Sequence, residues 1–222
     1  MHYDFDDRRE SLRRRITERS DLRVKTLIDK NQSSPTAVKE LENDLALFKV
    51  QKQGGKPIPR NYILDSMTYL KKWIENELIK QDPTIGRAIA KLTNKGTLKI
   101  PAGWDAINGV RSYMEYFITE FSQLGNLICV FHERDEKDRD KSTEKVAAYT
   151  GKLTVEPQYL ATVLSVFNEV WRVSINYEDK FVVQTKPDFL FGASTTLEVD
   201  KEEPADIAVI LQKHMDAVSK KA

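Results

Sequence analysis

The sequence predicts an α/β fold with a mostly parallel sheet flanked by helices and a C-terminal antiparallel hairpin. Three observations carry this. Short apolar runs alternate with stretches of helical periodicity through most of the 222 residues, the order that builds a parallel sheet. Asn126–His132 is apolar on both alternating faces, as expected of a strand covered on both sides. Val170–Ile175 and Phe181–Thr185 are two late apolar runs joined by Asn176-Tyr177-Glu178-Asp179-Lys180, which reads as a hairpin turn.

Taken in order, His2–Asp6 reads as the end of a strand, followed at once by a helix over Arg8–Arg19 with Leu12 and Ile16 on one face. Leu22–Ile28 alternates apolar and polar residues with period two and predicts a strand. Asn31–Pro35 supplies a loop and helix start. Val38, Leu41, Leu45 and Phe48 then recur at spacings of three and four, an amphipathic helix to about Val50. Arg60–Asp65 is a short strand ending in a carboxylate, and Ser66–Lys80 resumes helical spacing through Met67, Leu70, Ile74 and Leu78. From Gln81 to Gly103 prolines and glycines punctuate an expected surface insertion with a short helix over Ile85–Leu92.

Trp104–Leu124 predicts a long helix with Gly125 as its C-terminal cap. Glu133–Lys145 contains no apolar residue and is expected to be a solvated, mobile loop, with the mobile charged region extending to about residue 157. A helix is expected over Tyr159–Asn168, before the hairpin, and a terminal one over Ala205–Ala217 that buries Ile207, Ile210, Leu211 and Met215. Residues 1–222 are read as one core domain.

Thirty-five Lys and Arg against thirty-four Asp and Glu leave a net charge of +1, so whole-molecule electrostatics points to neither nucleic acid nor membrane. The longest apolar runs, Leu127–Phe131 and Ile207–Leu211, fall far short of the ~20 residues of a membrane span. No basic and apolar leader opens the chain. A single cysteine, Cys129, excludes an internal disulfide, and with three histidines it leaves no zinc-finger spacing. A reducing, cytoplasmic location is the expectation.

Ligands in parallel α/β sheets sit at the carboxyl ends of strands. Three strands here end in chemically capable groups: Asp4 and Asp6, Asp65, and His132. Tyr62-Ile63-Leu64-Asp65-Ser66 enters a helix at once and resembles the Walker B strand of a RecA-like NTPase, where the Asp sits at the Mg²⁺ site. Leu127–His132, followed by Glu133-Arg134, resembles the next strand of that family, whose terminal polar residue senses phosphate. Tyr3–Leu12 resembles the strand and helix start that follow the P-loop helix. Trp171–Ile175, Phe181–Pro187 and Phe191–Ser194 resemble the terminal hairpin and loop of RecA-like phage ATPases of single-strand recombination and replication.

The resemblance spans residues 2 to about 200. It implies a RecA-like ATPase core with ATP and Mg²⁺ as cofactors. Asp65 would be the Mg²⁺ ligand, Asp65, Ser66, His132 and Lys186 would line the nucleotide, and Asp6, Glu10 or Glu133 would be the catalytic carboxylate. Asp7 competes with Asp6 and Glu10 for that role. Asp65 competes for that role with a use as N-cap of the following helix, a place Ser66 could also take, and His132 reads equally as a satisfied strand-end histidine.

A P-loop needs a Gly-rich cradle with Lys and then Ser or Thr. Gly55-Lys56 is followed by Pro57, with Val50 in place of the first Gly. Gly151-Lys152 fails in the same way, through Val146 and Leu153. The resemblance therefore implies a chain without its P-loop strand, the C-terminal four-fifths of such an ATPase, inactive in hydrolysis alone.

Other chemistries are excluded. His132-Glu133-Arg134-Asp135-Glu136 lacks the second His of a metalloprotease motif, and no G-x-S-x-G is present. Single-stranded DNA is the nucleic-acid partner that the resemblance implies. Arg8–Lys25 carries eight basic residues against three acidic and could meet phosphates, or be a solvated helix face. Glu133–Lys141 holds five acids against four bases and no aromatic, a poor DNA ligand. Lys186 and Arg172 would reach the nucleotide of a neighbouring subunit in a homo-oligomer or beside a partner ATPase. The alternative is a non-catalytic interaction subunit with a degenerate nucleotide pocket.

Overall fold

The computed structural model describes residues 1–6, 23–30, 34–82, 101–139, 146–153, 166–187 and 193–220. The helices predicted over Arg8–Arg19 and Ile85–Leu92, and most of that over Tyr159–Asn168, fall outside them. Where the sequence suggests one core domain, the chain divides into two compact units, Met1–His132 and Glu133–Ala222.

The first unit is a parallel four-stranded sheet carrying β1 (His2–Asp4), β2 (Val24–Thr26), β3 (Asn61–Asp65) and β4 (Asn126–Val130) in the order β2-β1-β3-β4. Register aligns Asp4 with Thr26 and with Asp65, and Asp65 with Val130, so the carboxyl ends of the strands are level. Helices α1 (Ala37–Gln53), α2 (Met67–Gln81) and α3 (Pro101–Leu124) supply the connections.

Side chains alternate across a strand, and the contacts fix which face the helices cover. The Tyr3 hydroxyl donates to Asp44 of α1 at 3.2 Å. The rings of Tyr3 and Tyr62 lie 5.7 and 5.3 Å from that of Phe121 on α3, and Phe48 lies 5.6 Å from Tyr62. Tyr3, Phe5, Tyr62, Leu64, Leu41, Leu45, Leu70, Phe117 and Phe121 form a buried core. Burial pushes the Tyr62 phenol up to about 12. His2, Asp4, Ile63 and Asp65, one step out of phase, point to the opposite face.

The start of α1 is held from a distance. The buried Asp29 carboxylate accepts from the Thr36 and Ala37 amides at 2.8 and 2.9 Å and lies 3.4 Å from the Asn76 amide group, so a loop residue does the work of a cap. Helix α3 begins at Pro101 instead of Trp104, because a first-turn proline surrenders no helical hydrogen bond. Gly125 follows α3 for a steric reason. A Cβ there would collide with the Arg60 carbonyl and touch the Tyr62 ring.

Strand β4 is less covered than its sequence suggests: among the described residues it pairs with β3 alone, and Ile128 is 40 % exposed. An apolar pattern records side-chain type and cannot distinguish a central strand from an edge.

The second unit corrects the charged loop. Glu133–Arg139 forms a strand, β5, antiparallel to β6 (Val146–Leu153), with Glu133 opposite Leu153. Pairing satisfies backbone groups whatever the side chains, and the Val, Tyr and Thr of β6 supply the strand propensity that the charge run lacks. A three-stranded antiparallel sheet follows, β7 (Arg172–Ile175), β8 (Phe181–Gln184) and β9 (Glu202–Pro204), in the order β7-β8-β9.

The predicted hairpin is present. Asn176 closes it by accepting at Oδ1 from the Glu178 and Lys180 amides at 2.9 and 3.0 Å. Helix α4 (Ile207–Ser219) is capped by Asp206, which accepts from the Ala208 amide at 2.9 Å. It buries Ile210 against Val183 and Val199. Ile207, Leu211 and Met215, expected beside Ile210 in the core, are 45–61 % exposed, because a three-stranded sheet with a short edge is too narrow to cover the whole apolar side of the helix. No helix among the described residues is long and apolar enough to cross a membrane.

Candidate functional site

The chemically capable groups of the first unit converge at the carboxyl ends of β1, β3 and β4. Asp65 ends β3 and Ser66 is the N-cap of α2. The Asp65 carbonyl accepts from the Phe5 amide at 2.7 Å, and the Leu27 amide donates to the Asp4 carbonyl at 2.9 Å. These bonds extend the pairing past the strands and fix the backbone around Asp4, Phe5 and Asp6. The Trp73 indole of α2 donates to the Phe5 carbonyl at 3.0 Å, fastening the end of β1 to the helix that follows β3.

Two imidazole–carboxylate contacts cross the strand ends. His2 Nε2 lies 3.3 Å from Asp65 Oδ2, and His132 Nε2 lies 3.4 Å from Asp6 Oδ2. The Asp6 side chain is 2 % exposed and that of Asp65 is 24 % exposed, so Asp65 is the carboxylate open to a ligand. The Asp6 amide donates to Asp4 Oδ1 at 3.2 Å, which turns the chain so that Asp6 reaches the His132 side of the sheet. His132 is seated from below: its amide donates to Thr68 Oγ1 at 3.1 Å, and its ring meets the Tyr69 ring edge-on at 5.7 Å.

Asp65 and Ser66, read from the sequence as competing caps of α2, do not cap it in this way. Ser66 takes the cap position without a side-chain cap bond, and its buried hydroxyl has no hydrogen-bond partner. The Asp65–Ser66 peptide is cis.

Of the residues singled out in the sequence, Asp6 and His132 are brought into contact, and Asp65 and Ser66 lie at the end of the strand between them. Glu10 and Asp7 lie outside the described residues. Glu133 opens β5, and Lys186, whose carbonyl accepts from the Gln184 side chain at 2.9 Å, follows β8. Both belong to the second unit. Cys129 is a packing residue, its thiol pushed up by burial.

The residue that sequence reasoning overlooked is His2. It stands two positions before Asp4, on the same face of β1, and period-two alternation was the available signal.

Among the described residues no group of three or more His, Cys, Asp or Glu is arranged to hold a metal ion. Mg²⁺ does not require one. It keeps several waters and takes one or two protein oxygens together with substrate phosphates. Asp65, partly exposed at the end of β3, fits that demand.

No family model, curated protein or solved structure matches the chain.

Proposed function

We propose that the first unit carries the Mg²⁺ end of a nucleotide site in an ATP-binding protein of RecA-like type, of the kind that couples ATP to single-stranded DNA recombination or replication. The single observation behind this reading is that Asp6, Asp65 and His132 lie at the carboxyl ends of three neighbouring strands of one parallel sheet, with Asp6 and His132 in contact. Asp65 would hold Mg²⁺ with Ser66 beside it. His132, backed by Asp6, would face the terminal phosphate. The 222 residues contain no G-x-x-x-x-G-K-[ST] cradle, so hydrolysis requires that element from another segment or subunit, and the chain alone does not turn over ATP.

The test uses Mn²⁺·ATP as a paramagnetic probe of the full chain. Three histidines give a simple imidazole proton spectrum. The His2 and His132 resonances should broaden on titration, and Asp65→Asn should abolish the effect. Absence of broadening, or broadening indifferent to Asp65→Asn, would overturn the reading.

A second reading, a non-catalytic subunit that assembles with copies of itself or with an active ATPase, is favoured by a different observation. Val173, Ile175 and Phe181 present exposed apolar surface on the hairpin of the second unit.

A further inference from the structure

The side chain of His2 is 9 % exposed, and its buried Nε2 makes no hydrogen bond of ordinary geometry. Among the described residues, the charged group beside that atom is Asp65 Oδ2, at 3.3 Å. A buried imidazole is costly to leave unsatisfied, and this one directs its nitrogen at a single oxygen of the most accessible carboxylate in the cluster. The position is fixed by the sheet. His2 is aligned with Ile63, two residues before Asp65 on the adjacent strand, and the Met1 carbonyl accepts from the Ile63 amide at 2.9 Å. His2 cannot drift relative to Asp65 without breaking the pairing of β1 with β3.

From this we infer that His2 is a positioning residue that stands against Oδ2 of Asp65 at contact distance and leaves Oδ1 as a single metal-binding oxygen, so that the site selects Mg²⁺-sized cations over Ca²⁺. The inference rests on the reading of Asp65 as a Mg²⁺ ligand and deepens it. A carboxylate with one oxygen engaged binds a cation through the other. Mg²⁺ accepts such single-oxygen ligands in a tight octahedron, whereas Ca²⁺ also takes a carboxylate through both oxygens in a larger, irregular shell, a mode that a partner on Oδ2 closes. Partners behind a ligand also fix its orientation, and their loss characteristically weakens metal binding by about 10- to 100-fold.

The experiment follows the broadening of the His132 resonance by Mn²⁺·ATP, with Ca²⁺·ATP as competitor, in the wild-type chain and two variants. His2→Leu fills the space without a donor, and His2→Gln keeps an N–H. His2→Leu should raise the half-saturating Mn²⁺·ATP concentration about tenfold and should make Ca²⁺·ATP a better competitor relative to Mn²⁺·ATP. His2→Gln should stay within about twofold of wild type in both. If His2→Leu does not fold, His2→Met carries the comparison.

An unchanged Ca²⁺ to Mn²⁺ ratio in the donorless variant overturns the role of His2 while leaving the site standing. Failure of the wild-type chain to show broadening that depends on Asp65 removes the site, and His2's role with it.

Discussion

His132 Nε2 lies 3.4 Å from Asp6 Oδ2, a contact that ties the end of β4 to the end of β1 across the intervening β3. Strand pairing does not join β1 to β4 directly, so this contact links two strands that share no ladder. Combining His132→Ala and Asp6→Asn in a double-mutant cycle, read by urea unfolding, should return a coupling of about 0.5–1 kcal/mol, the low end for contacting residues because His132 is a quarter exposed. Strict additivity would mean that the two side chains do not act on each other.

Gly125 sits where α3 hands over to β4, and any β-carbon there presses on the Arg60 carbonyl. That carbonyl accepts from the Asn126 amide at 2.9 Å, so it cannot retreat without loosening the first rung between β3 and β4. Gly125→Ala should destabilise the chain by about 1–3 kcal/mol, the usual range for forced overpacking, seen as a lower midpoint in thermal or urea unfolding. A neutral substitution would show that the turn relaxes freely.

Glu169 contributes to the acid response of the second unit. Burial acts to raise its carboxyl. Hydrogen bonds from the Thr195 and Thr196 hydroxyls, the Thr196 amide and the Trp171 indole outweigh this and hold it below its ordinary value. Its folded value is therefore lower than its unfolded value of about 4.3. The stability it contributes is complete above the unfolded value and is lost as pH falls through the folded one. Glu169→Gln should flatten the pH dependence of unfolding below about pH 4.5 and leave the slope near neutrality unchanged. An identical acid limb in the variant would show that other groups set it.

Ile175 and Phe181 face each other across the hairpin and are 58 % and 65 % exposed. Phe181→Ser should change unfolding free energy by no more than about 0.5 kcal/mol, as exposed substitutions do. It should also reduce self-association in sedimentation velocity at matched concentration. Unchanged sedimentation would remove this pair from any assembly surface.

Much of the first unit was legible before its structure. The period-two run at Leu22–Ile28, the carboxylate ending the apolar strand at Asp65 and the three-and-four spacing from Val38 to Phe48 each placed an element within a few residues of its bounds. These signals are local, because a strand or amphipathic helix writes its repeat into its own residues. The hold of Asp29 on α1 was not legible, since seven residues separate Asp29 from Thr36 and no cap spacing marks it. Strand β5 was missed because its partner, and not its own composition, makes it a strand. Strand β9, three residues ending in proline, has no pattern long enough to read.

By itself the sequence determined the α/β class, the order of the parallel strands along the chain and the identity of Asp6, Asp65 and His132 as strand-end groups. Tertiary structure alone decided that β4 pairs with β3 alone among the described residues, that Ile207, Leu211 and Met215 stay exposed, and that His2 meets Asp65. The physical reason is the same in each case. Periodicity states which side of an element is apolar or polar, whereas neighbours brought from distant positions decide whether that side is covered and which atom a buried nitrogen reaches.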